Sequence, residues 1–416
     1  ITVTMDKLIL LLLISTAFVV AQAKVVLPNY ITDNMVVQRN SVMKITGHAS
    51  SGSKVNVIAG WDSRSREVKA DSEGKFDISL DTPDAGGPYS IIIADKDSKV
   101  KVGNVLSGEL WLCSGQSNME FPVDGWTSVM DADHVVSTAR NPDIRLLQVK
   151  KRVAFSPQDD IETNMGGWVE AAPNTMDFSA IAYLYAKELR DSLKVPVGVI
   201  DATWGGTPAE AWTSYGFLKG VPGFEGELSA MESCGFDTSR LRENYEKEMG
   251  VWMKLAQKGG EEIRPGDKLT GNVLPADYFE RIGFGNGFDG IVWVQKEIDV
   301  PAEDAGKPMT LKLGAIDDED VTYLNGVDFS SLPKKPASIE GSSYPTVLYN
   351  AMIHPLRNLP IKGVLWYQGC ANVGRAEQYE TLFKSLINNW RDTWDSEFPF
   401  YFVQLAGWLA PHSVQP

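Results

Sequence analysis

Glu109-Leu110-Trp111-Leu112-Cys113-Ser114-Gly115-Gln116-Ser117-Asn118-Met119 is an apolar run that breaks at a glycine and presents a serine two residues later. The run reads as a strand buried on both faces, and the break as a strand-to-helix turn. Open α/β sheets place their chemistry just outside the carboxyl ends of strands, so the Ser117 hydroxyl at this tip is a candidate nucleophile. Two distant segments repeat the arrangement: Val199-Ile200-Asp201-Ala202-Thr203-Trp204-Gly205-Gly206-Thr207 and Gly363-Val364-Leu365-Trp366-Tyr367-Gln368-Gly369-Cys370-Ala371-Asn372. One site built from three turns is the expectation.

Outward from that stretch, nearly continuous apolar runs at 109–113, 144–149, 197–202, 363–367 and 399–405 have the character of parallel strands covered on both faces. Helical spacing intervenes over 178–190 (Phe178, Ile181, Ala182, Tyr185, Leu189) and 377–391 (Tyr379, Leu382, Phe383, Leu386, Ile387, Trp390). Such alternation predicts an α/β fold with a doubly wound parallel sheet, split between residues 106–212 and 344–416. Residues 24–105 carry short alternating runs, such as 54–58 and 75–80, separated by turn clusters. They predict a β-sandwich of about seven strands. Residues 213–343 interrupt the α/β pattern: 213–272 are charged and helical in tendency, and 282–331 return to strands with a turn at Asn325-Gly326.

The 416 residues are 43% hydrophobic and 22% charged, with a formal net charge of −15. That balance argues against a nucleic-acid backbone or an anionic membrane surface as partner. At the start, Met5-Asp6-Lys7 precedes an apolar run from Leu8 to Val20 and then Ala21-Gln22-Ala23, which reads as a cleavable secretory signal over 1–23. A secreted, periplasmic or otherwise extracytoplasmic protein is expected, with no membrane contact after cleavage. Three cysteines (Cys113, Cys234, Cys370) cannot all pair. The four histidines (His48, His134, His354, His412) form no ligand motif, so no metal is expected. The one G-x-G-x-x-G match, Gly285 to Gly290, runs into the strand-like Ile291-Val292-Trp293-Val294 and fails as a dinucleotide fingerprint. Most of the 12 Trp should pack in cores, with some free to line a sugar cleft.

Each turn has a plain structural role and a chemical one. Ser117 can bond its own turn backbone. At a strand-to-helix turn it can equally attack a carbonyl, while its N–H stabilises the resulting oxyanion. Gly205 and Gly206 permit a tight turn and let a backbone N–H approach a substrate oxygen. Asn372 can make a side-chain turn or serve as a further oxyanion donor. Gln116 and Gln368, beside these residues, are candidate substrate contacts.

The chain resembles the sialate O-acetylesterases, within the SGNH hydrolase superfamily. The resemblance is carried by Gly108 to Glu120, by Trp204-Gly205-Gly206-Thr207-Pro208-Ala209-Glu210-Ala211-Trp212, and by Tyr349-Asn350-Ala351-Met352-Ile353-His354-Pro355-Leu356 leading into 363–379. It implies a flavodoxin-like sheet and removal of acetyl groups from O-acetylated sugars, typically sialic acids, with no cofactor. It further implies Ser117 as nucleophile, with Gly205 or Gly206 and Asn372 in the oxyanion hole. The insertion resembles a jelly-roll module with too few strands to close. Cys370 and Ala371 stand where the family has Glu and Ser. The family's general base lies in an Asp-x-x-His motif near the C-terminus. The one literal match, Asp131 to His134, lies in the wrong part of the fold, and His412 sits in a different context, so a fragment without its base is expected. Two alternatives remain open from the sequence: an acetyl esterase acting on a plant polysaccharide such as xylan, and a carbohydrate-binding protein without catalysis.

Overall fold

The computed structural model describes residues 24–260, 300–302, 323–324, 327–328 and 341–405. The expected signal segment 1–23, the Gly285–Gly290 loop, most of the β-rich stretch 282–331 and His412 lie outside them. Two compact units are distinguished, one of Ile1–Leu241 with Ile339–Pro416 and one of Arg242–Ser338.

The first unit opens with β1 (Val36–Gln38), β2 (Val42–His48), β3 (Lys54–Ala59), β4 (Ser65–Lys69), β5 (Lys75–Asp81) and β6 (Gly86–Ala94). Period-two alternation buries Met43 and Ile45 of β2 and Val55, Val57 and Ala59 of β3, while Lys44 and Lys54 face solvent. β2 and β5 pair antiparallel. β4, β3 and β6 pair antiparallel in that order onto the first half of β7 (Lys99–Gly115), and β1 runs parallel to β7 at Leu106–Gly108. Residue 105, the expected end of a β-sandwich, falls inside β7, which continues into the parallel part of the same sheet.

From Glu109 onward β7 is the centre of the mostly parallel part of this sheet. After it come α1 (Ser117–Glu120), α2 (Ala132–Ser137), β8 (Asn141–Gln148), β9 (Val169–Ala171), α3 (Ala180–Leu193) and β10 (Val197–Thr203). A 3-10 turn at Ala209–Trp212 leads to α4 (Tyr215–Leu218), α5 (Glu225–Ser233) and α6 (Thr238–Gly260), which crosses into the second unit. That second unit also holds β11 (Tyr323–Leu324) and β12 (Val327–Asp328), paired antiparallel across the Asn325-Gly326 positions. The chain re-enters the sheet as β13 (Gly363–Tyr367), then α7 (Ala376–Trp394) and β14 (Phe400–Phe402).

Parallel pairing runs β8-β10-β7-β13-β14, with β9 antiparallel on β8. Numbered in chain order, these five parallel strands lie side by side as 2-3-1-4-5. Both faces are covered. Trp111, Cys113, Val199 and Leu365 join Phe178, Ala182, Tyr183 and Ala186 of the α3 region in one buried cluster. On the other face, Leu382, Leu386 and Trp390 recur every four residues along α7 and are fully buried. Trp390 meets Trp366 of β13 edge-on at 5.7 Å, and its indole N–H donates to the Trp212 carbonyl at 2.9 Å. Deleting a large aromatic from such a core typically costs about 3–5 kcal/mol. Ser179 caps α3 by accepting the Ala182 N–H at 3.2 Å and donates to the Met119 carbonyl at 2.6 Å, tying the helix start to the turn that carries Ser117.

No helix of the described residues is long and apolar enough to cross a membrane.

Candidate active site

The ends of β7, β10 and β13 lie side by side, so the three turns quoted above meet. Cα pairing runs Thr203 to Gly115 on one side of β7 and Tyr367 to Gly115 on the other. Gly115 has φ +142°, and a Cβ there would land on the Tyr367 carbonyl. Only glycine lets the two strand ends approach so closely and still turn. The Gln116 N–H then donates to the Tyr367 carbonyl at 3.0 Å.

Ser117 opens α1 and is exposed, whereas Met119 two residues on is fully buried. A methyl group at Gly205 would lie 3.5 Å from Ser117 Cβ and 3.2 Å from Glu120 Oε2. The second turn therefore borders the serine directly. The two glycines differ. The Gly205 N–H donates to Glu120 Oε2 at 2.5 Å, and the other carboxylate oxygen of Glu120 is held by Lys151, whose ammonium lies 5.7 Å from the Trp204 ring centroid. Gly206 has φ +73° with open space where a side chain would stand, and among the described residues its N–H has no partner.

The third turn is held from both sides. Gln116 Oε1 accepts the N–H groups of Gly369 at 3.0 Å and Ala371 at 3.2 Å. Asn372, 2% exposed, accepts at Oδ1 from the Ala209 N–H (3.0 Å) and from Gln368 Nε2 (2.7 Å), and donates from Nδ2 to Glu210 Oε2 (2.9 Å). Gln368 also donates to the Thr207 carbonyl at 3.1 Å and accepts from the Tyr379 hydroxyl at 3.1 Å. Gln116 and Gln368, expected as substrate contacts, are both buried.

Four charged residues enter this neighbourhood that the sequence reading did not single out: Glu120, Lys151, Glu210 and Arg375. A signal for Glu210 was present, since a carboxylate enclosed by Ala209, Ala211 and Trp212 must find a partner if it is buried. Arg375 supplies it at 2.6 Å.

Beneath the turns, Asp201 near the end of β10 is 2% exposed. Burial pushes its carboxyl up to about 6; hydrogen bonds from Thr203 and Gln148 only partly offset this, and the nearby Glu120 charge adds to it. Opposite it in register lies Cys113, whose thiol burial raises well above the ordinary range. Cys370 is exposed at the start of the third turn's 3-10 segment.

The histidines lie elsewhere. His354 Nδ1 is 3.0 Å from the Gln158 carbonyl, and burial lowers its pKa. His134 is exposed on α2 and His48 ends β2. Among the described residues no group of three or more His, Cys, Asp or Glu could hold a metal ion.

A family model described as carbohydrate esterase, sialic acid-specific acetylesterase, matches residues 336–414. The sialate O-acetylesterase of Mus musculus is 26% identical over 410 residues, which is 92% of this chain and 61% of that protein. That of Homo sapiens is 26% identical over 411 residues, 92% of this chain and 58% of that protein. The chain thus spans about three-fifths of the length of these relatives. Among solved structures, a carbohydrate acetylesterase from Xanthomonas citri superposes with a TM-score of 0.59 at 25% identity, covering 92% of this chain and 60% of that one. The resemblance to the sialate O-acetylesterases read from the three motifs is borne out along most of the chain.

Proposed function

We propose that this chain carries the nucleophile and oxyanion donors of a serine esterase that removes O-acetyl groups from sugars, sialic acids foremost. The observation that carries the proposal is the convergence of three turns. Gly205 borders the Ser117 side chain, and Gln116 clasps the backbone of Gly369 and Ala371. The mostly parallel sheet, with all three turns at the carboxyl ends of its strands, fits an SGNH-like fold.

In this reading Ser117 Oγ attacks the acetyl carbonyl and expels the sugar hydroxyl, leaving an acetyl-serine that water hydrolyses to acetate. The tetrahedral oxyanion is received by the N–H of Ser117, by the N–H of Gly206 and by the second N–H of the Asn372 amide. Gly206 is the better glycine donor because the Gly205 N–H already serves Glu120. Each such donor is typically worth about 10²–10³ in rate. Serine is a weak nucleophile without a base, and among the described residues none bonds the Ser117 hydroxyl. The substrate class rests on the named relatives, which are sialate and carbohydrate acetylesterases.

The test is acetate release from O-acetylated sialic acid and from O-acetylated xylan, alongside labelling by a serine-directed phosphonate. Turnover of the sialic acid ester, lost in Ser117→Ala, supports the proposal. Turnover of xylan alone would move the substrate to plant polysaccharides. Saturable glycan binding with neither acetate release nor Ser117 labelling would make the chain a non-catalytic sugar binder.

A further inference from the structure

We propose that Glu210 is the positioning residue that aims the Asn372 amide at the reacting oxygen; this rests on the esterase reading above. The geometry leaves the amide one orientation. Both groups facing one end of Asn372, the Ala209 backbone N–H and Gln368 Nε2, can only donate, so that end must be Oδ1. Gln368 is itself fixed, because its nitrogen faces the Thr207 carbonyl and its oxygen receives the Tyr379 hydroxyl. Nδ2 therefore faces Glu210, and one of its two hydrogens is bonded to Oε2 at 2.9 Å. The second hydrogen points about 120° away in the amide plane, and no described residue accepts it. It is the hydrogen left for an incoming oxygen.

Glu210 can hold this geometry because it is itself held. It is 5% exposed, its Oε1 receives Arg375 Nη2 at 2.6 Å, and its carbonyl receives the Thr346 N–H at 3.0 Å. The Arg375 guanidinium pairs with this buried carboxylate and fixes its plane. The paired donors on Asn372 Oδ1 also polarise the amide and strengthen its free N–H as a donor. Both carboxylate oxygens of Glu210 are taken by protein donors, Oε1 by Arg375 and Oε2 by Asn372. It acts through Asn372 alone, and that exclusiveness is measurable.

The experiment is a double-mutant cycle in the full chain with Glu210→Gln and Asn372→Ala, read as kcat and KM for acetate release. The expected result is a fall in kcat of about tenfold or more for Glu210→Gln with KM nearly unchanged, and a double variant no slower than Asn372→Ala alone. Losses that multiply, or a loss carried in KM, would overturn the assignment. If Asn372→Ala itself leaves kcat intact, the oxyanion reading fails instead. A second readout is independent of turnover and of whether Gln is tolerated at this position. In 1H–15N spectra the Asn372 side-chain pair, identified by its loss in Asn372→Asp, should show widely split protons that collapse together in Glu210→Gln and in Glu210→Asp. An unchanged pair in either folded variant would overturn the proposal.

Discussion

Gln116 Oε1 accepts the Gly369 N–H at 3.0 Å, joining residues 253 positions apart in the chain. The same oxygen takes the Ala371 N–H, so one buried amide holds the turn after β13 against the turn that carries Ser117. Gln116→Ala would leave both N–H groups without a partner, which should cost about 2 kcal/mol. Urea unfolding decides this; a Gln116→Ala protein as stable as wild type would mean the clasp carries no stability.

Asp201 makes stability depend on pH. Its folded pKa of about 6 lies above the ordinary 3.8, so the unfolded chain ionises first as pH rises. The folded state is unpenalised below pH 4 at this group, loses ground between about 4 and 6, and keeps a constant deficit on the order of 3 kcal/mol above that. Asp201→Asn should flatten this segment of the profile and raise stability at pH 7. Denaturation midpoints at pH 4, 5, 6 and 7 test it, and identical slopes for both proteins would exclude the effect.

Thiol chemistry should be selective. Cys113 and Cys234 are buried, Cys370 is exposed, and the Cys113 thiol is held protonated by burial beside Asp201. A maleimide should label Cys370 first, and Cys370→Ser should abolish the fast phase. Peptide mapping after brief exposure reads the result directly. Early labelling at Cys113 would mean that the face under α3 opens readily.

Two glycines of the site should respond differently to a methyl group. Gly206→Ala meets open space and only a left-handed φ, for a loss of about 1 kcal/mol. Gly115→Ala drives a Cβ into the Tyr367 backbone, which cannot yield without parting β7 from β13, and should cost about 3 kcal/mol or more. Thermal melts rank the pair, and a reversed ranking would show that the strand ends are not held together as described.

Much of this architecture was legible because local pattern and tertiary role coincide. The apolar run 363–367 is β13, and the run 197–202 is β10 with one residue more. The predicted helix over 377–391 is α7, since its every-fourth-residue apolar spacing is also its burial pattern. The three turns were visible for a related reason, because glycine and small polar residues after an apolar strand leave few conformations. What stayed hidden is long-range. Nothing local tells that Glu120 reaches Gly205, or that Arg375 closes on Glu210 across 165 positions. β7 was read as two objects, short strands up to about 105 and a new one from 109. Its seventeen residues form one strand because the exposure pattern changes from alternating to fully buried along a continuous backbone.

That continuity has a mechanical consequence. One strand pairs antiparallel at Lys99–Ser107 and parallel from Glu109 onward, with Asn104 (φ +52°) interrupting its extended backbone. The N-terminal strands and the turn that carries Gly115, Gln116 and Ser117 therefore hang from one strand, with no loop between them.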